Sequence, residues 1–174
     1  ASGNAYITGQ YHNTVYFDAA MTISVTTQGN RDVFFAKHNS SGVCQWAKGI
    51  GGAAGEYSGS IAVDGSGNVA VTGFFDSNPV DCEPGTGNFI MPATSGASFN
   101  GFMAKYDGSG NCLWVNTLVG AAPSGGRAGS PNMFGCSVAF DTPGNIYFSG
   151  TYAARSIWGA TNLDVIHDFD IYLS

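Results

Sequence analysis

Ser60-Ile61-Ala62-Val63-Asp64-Gly65-Ser66-Gly67-Asn68-Val69-Ala70-Val71-Thr72-Gly73 reads as strand, tight turn, strand. Asp64 can accept backbone N–H groups inside the turn, Gly65 and Gly67 allow positive φ, and Asn68 tolerates it. The second half of this stretch recurs. Gly67-Asn68-Val69-Ala70-Val71-Thr72-Gly73 is matched by Gly3-Asn4-Ala5-Tyr6-Ile7-Thr8-Gly9 and by Gly144-Asn145-Ile146-Tyr147-Phe148-Ser149-Gly150. The first half returns as Ser137-Val138-Ala139-Phe140-Asp141, where Pro143 replaces the serine of the turn. Proline fits a turn and would not fit a strand centre.

Two further words complete a unit. Phe34-Phe35-Ala36-Lys37-His38 matches Phe102-Met103-Ala104-Lys105-Tyr106, and Gly42-Val43-Cys44-Gln45-Trp46 matches Gly110-Asn111-Cys112-Leu113-Trp114. The spacings separate frame from loop. Lys37 to Trp46, Lys105 to Trp114, Asp64 to Gly73 and Asp141 to Gly150 are each 9 residues. The Gly-Asn words lie 64 and then 77 residues apart, and the difference falls in two connections, 4 residues before the lysine word and 9 after the tryptophan word. Constant hairpins joined by two tolerant loops are what a strand repeat produces.

With strands named a to d, the central unit has a at 57–63, b at 68–75, c at 100–106 and d at 112–118. Before it stand b at 4–11, c at 32–38 and d at 43–50; after it come a at 134–140, b at 145–152 and the start of c at 169–174. The expected fold is therefore all-β. It consists of four-stranded antiparallel β-propeller blades in an incomplete ring, one full blade flanked by two partial ones. The division is 1–56 (partial blade 1), 57–133 (blade 2 with long loops) and 134–174 (partial blade 3). Strands b and c end such a segment with open edges. The expected partners of those edges are the rest of a longer chain or neighbouring copies.

Composition agrees. Of 174 residues 26 are glycine, about twice the usual roughly 7%, and only 10% are charged while 13% are aromatic. The glycines have no three-residue period, which excludes collagen. No apolar run is long enough to span a bilayer. A net charge of −6 disfavours a phosphate-binding surface, so nucleic acid is not an expected partner. The opening Ala-Ser-Gly-Asn has no basic and apolar leader, which reads as a processed chain or a piece of a longer one.

The words resemble the β-propeller repeat of large secreted bacterial proteins. The resemblance rests on Gly67-Asn68 with Thr72-Gly73, Gly101-Phe102 with Ala104-Lys105-Tyr106, Gly110 with Trp114, and Gly51-Gly52. Val80-Asp81-Cys82-Glu83-Pro84-Gly85 is similar to the acidic Pro-Gly segment that follows strand b, and Phe17-Asp18-Ala19-Ala20 to a worn copy of it. The resemblance implies a propeller in an extracellular or cell-surface location, with no defined enzymatic residues. The implied function is a non-enzymatic scaffold or a binding and adhesion module, with a glycan or protein as ligand. A structural subunit of an extracellular filament or ring, completed by strand exchange between copies, is the alternative. A carbohydrate-active enzyme fragment ranks third.

The chemistry-bearing residues give little against this. Asp64, Asp107 and Asp141 recur at turns, which favours turn duty over catalysis or calcium binding. Asp164, Asp168 and Asp170 cluster near the end with the oxygen chemistry calcium uses, but their alternation favours an edge strand with carboxylates toward water. His12, His38 and His167 occupy unrelated repeat positions; His38 stands where the next copy has Tyr106, a half-buried aromatic place. Cys44, Cys82, Cys112 and Cys136 form no Cys-x-x-Cys pair and read as buried small hydrophobes. A disulfide, with Cys136 its first candidate, stays open because spacing cannot assign it. Trp46 and Trp114 recur in register and read as core between blades. Trp158 has no repeat partner and is the candidate for an exposed aromatic contact, with packing as its alternative. Asn39-Ser40-Ser41 fits a glycosylation sequon at a turn. No catalytic, cofactor-binding or metal-binding residue is assigned.

Overall fold

The computed structural model describes residues 3–76, 79–83, 89–91, 99–120, 133–152, 156–158, 161–163 and 170–173. For 118–120, 133–136 and all positions from 151 onward the description is of backbone alone. In chain order the strands are β1 (Ala5–Tyr11), β2 (Thr14–Tyr16), β3 (Ser24–Thr26), β4 (Asp32–His38), β5 (Cys44–Gly52) and β6 (Glu56–Val63). There follow β7 (Val69–Phe75), β8 (Val80–Asp81), β9 (Ile90–Met91), β10 (Asn100–Tyr106) and β11 (Cys112–Gly120). The last are β12 (Met133–Phe140), β13 (Ile146–Tyr152), β14 (Ser156–Trp158), β15 (Thr161–Leu163) and β16 (Asp170–Leu173). The described residues contain no helix, and the fold is all-β with incomplete propeller blades.

Strands a to d of the central unit are β6, β7, β10 and β11, hydrogen-bonded in that order and antiparallel throughout. Strands β1, β4 and β5 supply b, c and d of the unit before it, and β12, β13 and β16 supply a, b and c of the unit after it. The repeat extends to irregularities. The β4–β5 register shifts between Lys37 and His38, and the β10–β11 register shifts at the matching place between Lys105 and Tyr106.

The connections hold more order than loops. Each b–c connection carries a small hairpin: β2–β3, β8–β9 and β14–β15. Two of these reach back to the preceding d strand. Strand β8 pairs with β5 (Gly52 opposite Val80), and β14 pairs with β11 (Gly120 opposite Ser156). The sheets therefore grow to five and six strands, and every added strand comes from the following blade.

One apolar core runs across the first two sheets. Val33, Phe35 and Ile50 of the first unit pack with Val69, Val71, Phe75, Phe102, Ala104 and Tyr106 of the second, nearly all at 0% exposure. A second cluster joins Ala70 and Met103 to Val138 and Phe148 of the third sheet. Burying these side chains supplies the main drive for stacking the blades, at about 25 cal/mol per Å² of apolar surface. Gly73 sits where β6 and β7 approach closely: a Cβ there would collide with the Tyr57 carbonyl and press on the Phe102 ring.

Candidate functional site

Four turns share one design. Asp64, Asp107, Asp141 and Asn39 each open a turn in which their own N–H donates to the carbonyl four residues on, and the N–H of the glycine three residues on donates back. Those glycines, Gly67, Gly110, Gly144 and Gly42, have φ between 78° and 92°. The side chains finish the turn. Asp64 Oδ1 accepts the Ser66 and Asn68 N–H groups (2.9 and 2.8 Å), and Asn68 Nδ2 donates to Oδ2 (2.7 Å). Asp107 with Asn111 repeats this in full, and Asp141 accepts the same two bonds from Asn145 while Pro143, which has no N–H, takes the place of the intervening donor. Partial burial opposes ionisation of Asp64 and Asp107, but the turn hydrogen bonds outweigh it and hold both below the usual carboxylate value. At Asp141 the Asn145 amide leads the same lowering. Asn39, the sequon asparagine, uses Oδ1 to accept the N–H groups of Ser41 and Val43 (3.0 and 2.9 Å).

The Asp107 turn also locks one blade to the next. The Gly108 carbonyl accepts hydrogen bonds from Trp46 Nε1 at 3.2 Å and from Lys37 Nζ at 3.4 Å, both in the preceding unit. Lys37 also lies over the Tyr6 ring, and Trp46 meets Tyr6 and Phe35 edge-on. Trp46 and Trp114 are half-buried, less enclosed than a place in the core would make them, because each sits at the rim of a joint. His38 is half-buried, while Tyr106 is fully buried and donates to the Cys82 carbonyl at 3.0 Å.

Beneath the first joint lies a group that the sequence reading missed. Asp32 and Glu56 are 1% and 0% exposed. Asp32 Oδ2 accepts the Gln28 N–H at 2.8 Å, and Glu56 Oε2 accepts the Gly52 N–H at 2.9 Å. The Asp32 and Glu56 side chains neighbour each other in this buried place. Burial raises the Asp32 carboxyl above its ordinary value. Burial, and then the charges of Asp32 and Glu56, push the Tyr11 hydroxyl well up. Gly51 leaves the room: a Cβ there would collide with the Asp32 carboxylate. The signal in the sequence is the Gly51-Gly52 pair, whose missing side chains leave space beside the buried carboxyls.

Above Tyr11 opens a cleft of about 250 Å³, lined by Tyr11, Ser24, Thr26, Lys48, Cys82 and Glu83 among others. It gathers the second strand of the β2–β3 hairpin, strand β5 and the residues that follow β8. Hydroxyls, an ammonium and a carboxylate around one small space can recognise a polar group. The thiols offer no nucleophile. Cys44, Cys82 and Cys112 are free and buried, and burial raises all three, Cys112 to about 12. The Cys136 side chain lies outside the described residues, as do Asp164, Asp168, His167 and the side chains of Asp170 and Trp158. The backbone of Trp158 pairs with Leu118. Among the described residues no group of three metal-ligating side chains occurs, and no helix is long and apolar enough to cross a membrane.

No family model matches the chain. A 122-residue stretch is 34% identical to an uncharacterized WD repeat-containing protein of Acanthamoeba polyphaga mimivirus, covering 64% of this chain. The repeat is of the β-propeller type. The chain spans only 9% of that relative's length. None of its three tryptophans is followed by aspartate, so the dipeptide that gives WD repeats their name is missing here.

Proposed function

We propose that this chain is a segment of a larger propeller that serves as a non-enzymatic scaffold and binding module in a secreted or cell-surface protein. The observation that carries the reading is the division of labour between frame and connections. Three copies of one frame differ in their b–c hairpins, and residues of two such hairpins, Ser24 and Thr26 from one and Cys82 and Glu83 from the other, line the cleft beside Lys48. Variable connections held on a rigid frame are where binding specificity resides in such folds. The WD-repeat description of the viral relative supports the scaffold part of this reading, and the acidic Pro-Gly and Ala-Lys-Tyr words support the bacterial, extracellular part.

A glycan array run alongside a glycoside hydrolysis assay tests it. Binding that weakens in Lys48→Ala or Glu83→Gln, without turnover, is the expected result. Turnover abolished by a single carboxylate substitution would overturn the non-enzymatic reading. The second reading, a subunit of a filament or ring, is favoured by the edge of β1: no described strand pairs with it on the side away from β4, and Ile7 is 41% exposed. Sedimentation of the 174-residue chain over a concentration series decides between them, since a filament subunit grows with concentration and a segment does not.

A further inference from the structure

We propose that the outward edge of β2 is a docking edge for the end of a d strand from a blade outside these 174 residues. The inference rests on the propeller reading above. In the two copies where a preceding d strand is present, the first strand of the b–c hairpin pairs with its end. Strand β8 sets Val80 and Asp81 opposite Gly52 and Gly51, and β14 sets Ser156, Ile157 and Trp158 opposite Gly120, Val119 and Leu118. The second strand of the hairpin faces its own blade: β9 lies against β11, and β3 lies against β5. The β2–β3 hairpin thus already has the inner half of the arrangement. Its first strand, β2, pairs with β3 and with no other described strand, and Thr14 and Tyr16 are exposed.

The occupant follows from what the chain itself has committed. Its two described d strands, β5 and β11, are already taken by β8 and β14. A second copy would bring the same two strands, equally taken. The strand that fits β2 is therefore a d strand of another blade, antiparallel to β2 and ending in glycine as Gly51-Gly52 and Val119-Gly120 do. Backbone hydrogen bonds would give the joint its affinity.

The test joins residues 56–143 ahead of residues 3–174, so that Pro143 precedes Gly3 as it naturally precedes Gly144. This adds a d strand before β2 and an a strand beside β1. Amide hydrogen exchange is then compared with that of the 174-residue chain. Exchange on the outward edge of Thr14–Tyr16 is expected to slow by about tenfold or more. Protection gained along β1 but not at residues 14–16 would sink the docking edge and leave the propeller reading standing. Protection at neither would sink both. Concentration-dependent protection of residues 14–16 in the unextended chain would make a second copy the occupant and overturn the assigned source. If the fusion fails to fold, a synthetic peptide of residues 112–120 added to the unextended chain replaces it. Slowed exchange at residues 14–16 with millimolar peptide supports the proposal, and unchanged exchange overturns it.

Discussion

The joint between the first two sheets and the joint between the second and third are built from the same words, yet they are filled differently. Phe35 and Met103 occupy equivalent places, as do His38 and Tyr106, and Gly51 and Val119. At the first joint Phe35 lies between Trp46 and Tyr106, with ring centroids 5.6 and 4.3 Å away, and Trp46 is capped by the Gly108 carbonyl. At the second, Met103 packs with Ala70, Val138 and Phe148, and Lys105 lies over the Phe140 ring of the next sheet. A repeat thus specifies where a side chain points, while its neighbours across the joint decide how much stability it contributes.

The sharpest way to break this comparison is to truncate both equivalents. Phe35→Ala should lose about 3–5 kcal/mol and Met103→Ala about 2–4 kcal/mol, because a ring clamped between two other rings leaves a cavity its neighbours cannot fill. Urea unfolding of the two variants checks the order, and equal losses would make the joints energetically equivalent. A smaller effect is expected from Gly51→Ala. Its new methyl group enters the space of the buried Asp32 carboxyl, which should cost about 1–3 kcal/mol through forced displacement. Asp32→Ala in the same background should recover part of that loss, and a double-mutant cycle with no coupling would show that the two residues do not compete for the same space.

Much of this fold could be read in the sequence, for a physical reason. Strand words and turn residues are local, so Asp64-Gly65-Ser66-Gly67-Asn68 announces its own hairpin and the repeat multiplies the signal. The b–c hairpins were not legible in that way. Their strands are two or three residues long, differ in each copy, and exist because a neighbouring blade offers an edge. The Asp32–Glu56 pair was hidden for a similar reason. Asp32 has an asparagine, Asn100, at its repeat position in the next copy, and Glu56 comes from another sheet, so no spacing in the sequence links the two.

The next effect down isolates a single hydrogen bond. Trp46→Phe keeps most of the ring and removes the N–H that reaches Gly108, along with a share of the turn's attachment to the preceding blade. A loss of about 0.5–1.5 kcal/mol is expected. Indole proton exchange followed by NMR supplies an independent reading, with slow exchange expected for Trp46. Exchange as fast as that of a free indole would remove the Gly108 hydrogen bond from the account of the first joint.

The smallest effect is a pair of opposed pH slopes, and it contrasts the buried carboxyl of the first joint with the carboxylates of the turns. Burial raises Asp32, so its favourable contribution is fully present below the ordinary aspartate value of 3.8 and is lost as the pH rises through its raised value. Asp64 and Asp107 are lowered by their turn hydrogen bonds. Their contribution is present above 3.8 and is lost as the pH falls through their lowered values. Asp32→Asn should therefore gain stability relative to the parent as the pH rises above 3.8, within the window set by the raised carboxyl. Asp64→Asn should lose stability relative to the parent at neutral pH, by less than about 1 kcal/mol because the turn is open to solvent. That deficit should close as the pH falls below 3.8. Urea midpoints of parent and variants from neutral pH down into the acid range test both slopes. If Asp32→Asn ran parallel to the parent above 3.8, Asp32 would carry its charge in the folded state as easily as in the unfolded one, and the raised carboxyl would have to be abandoned.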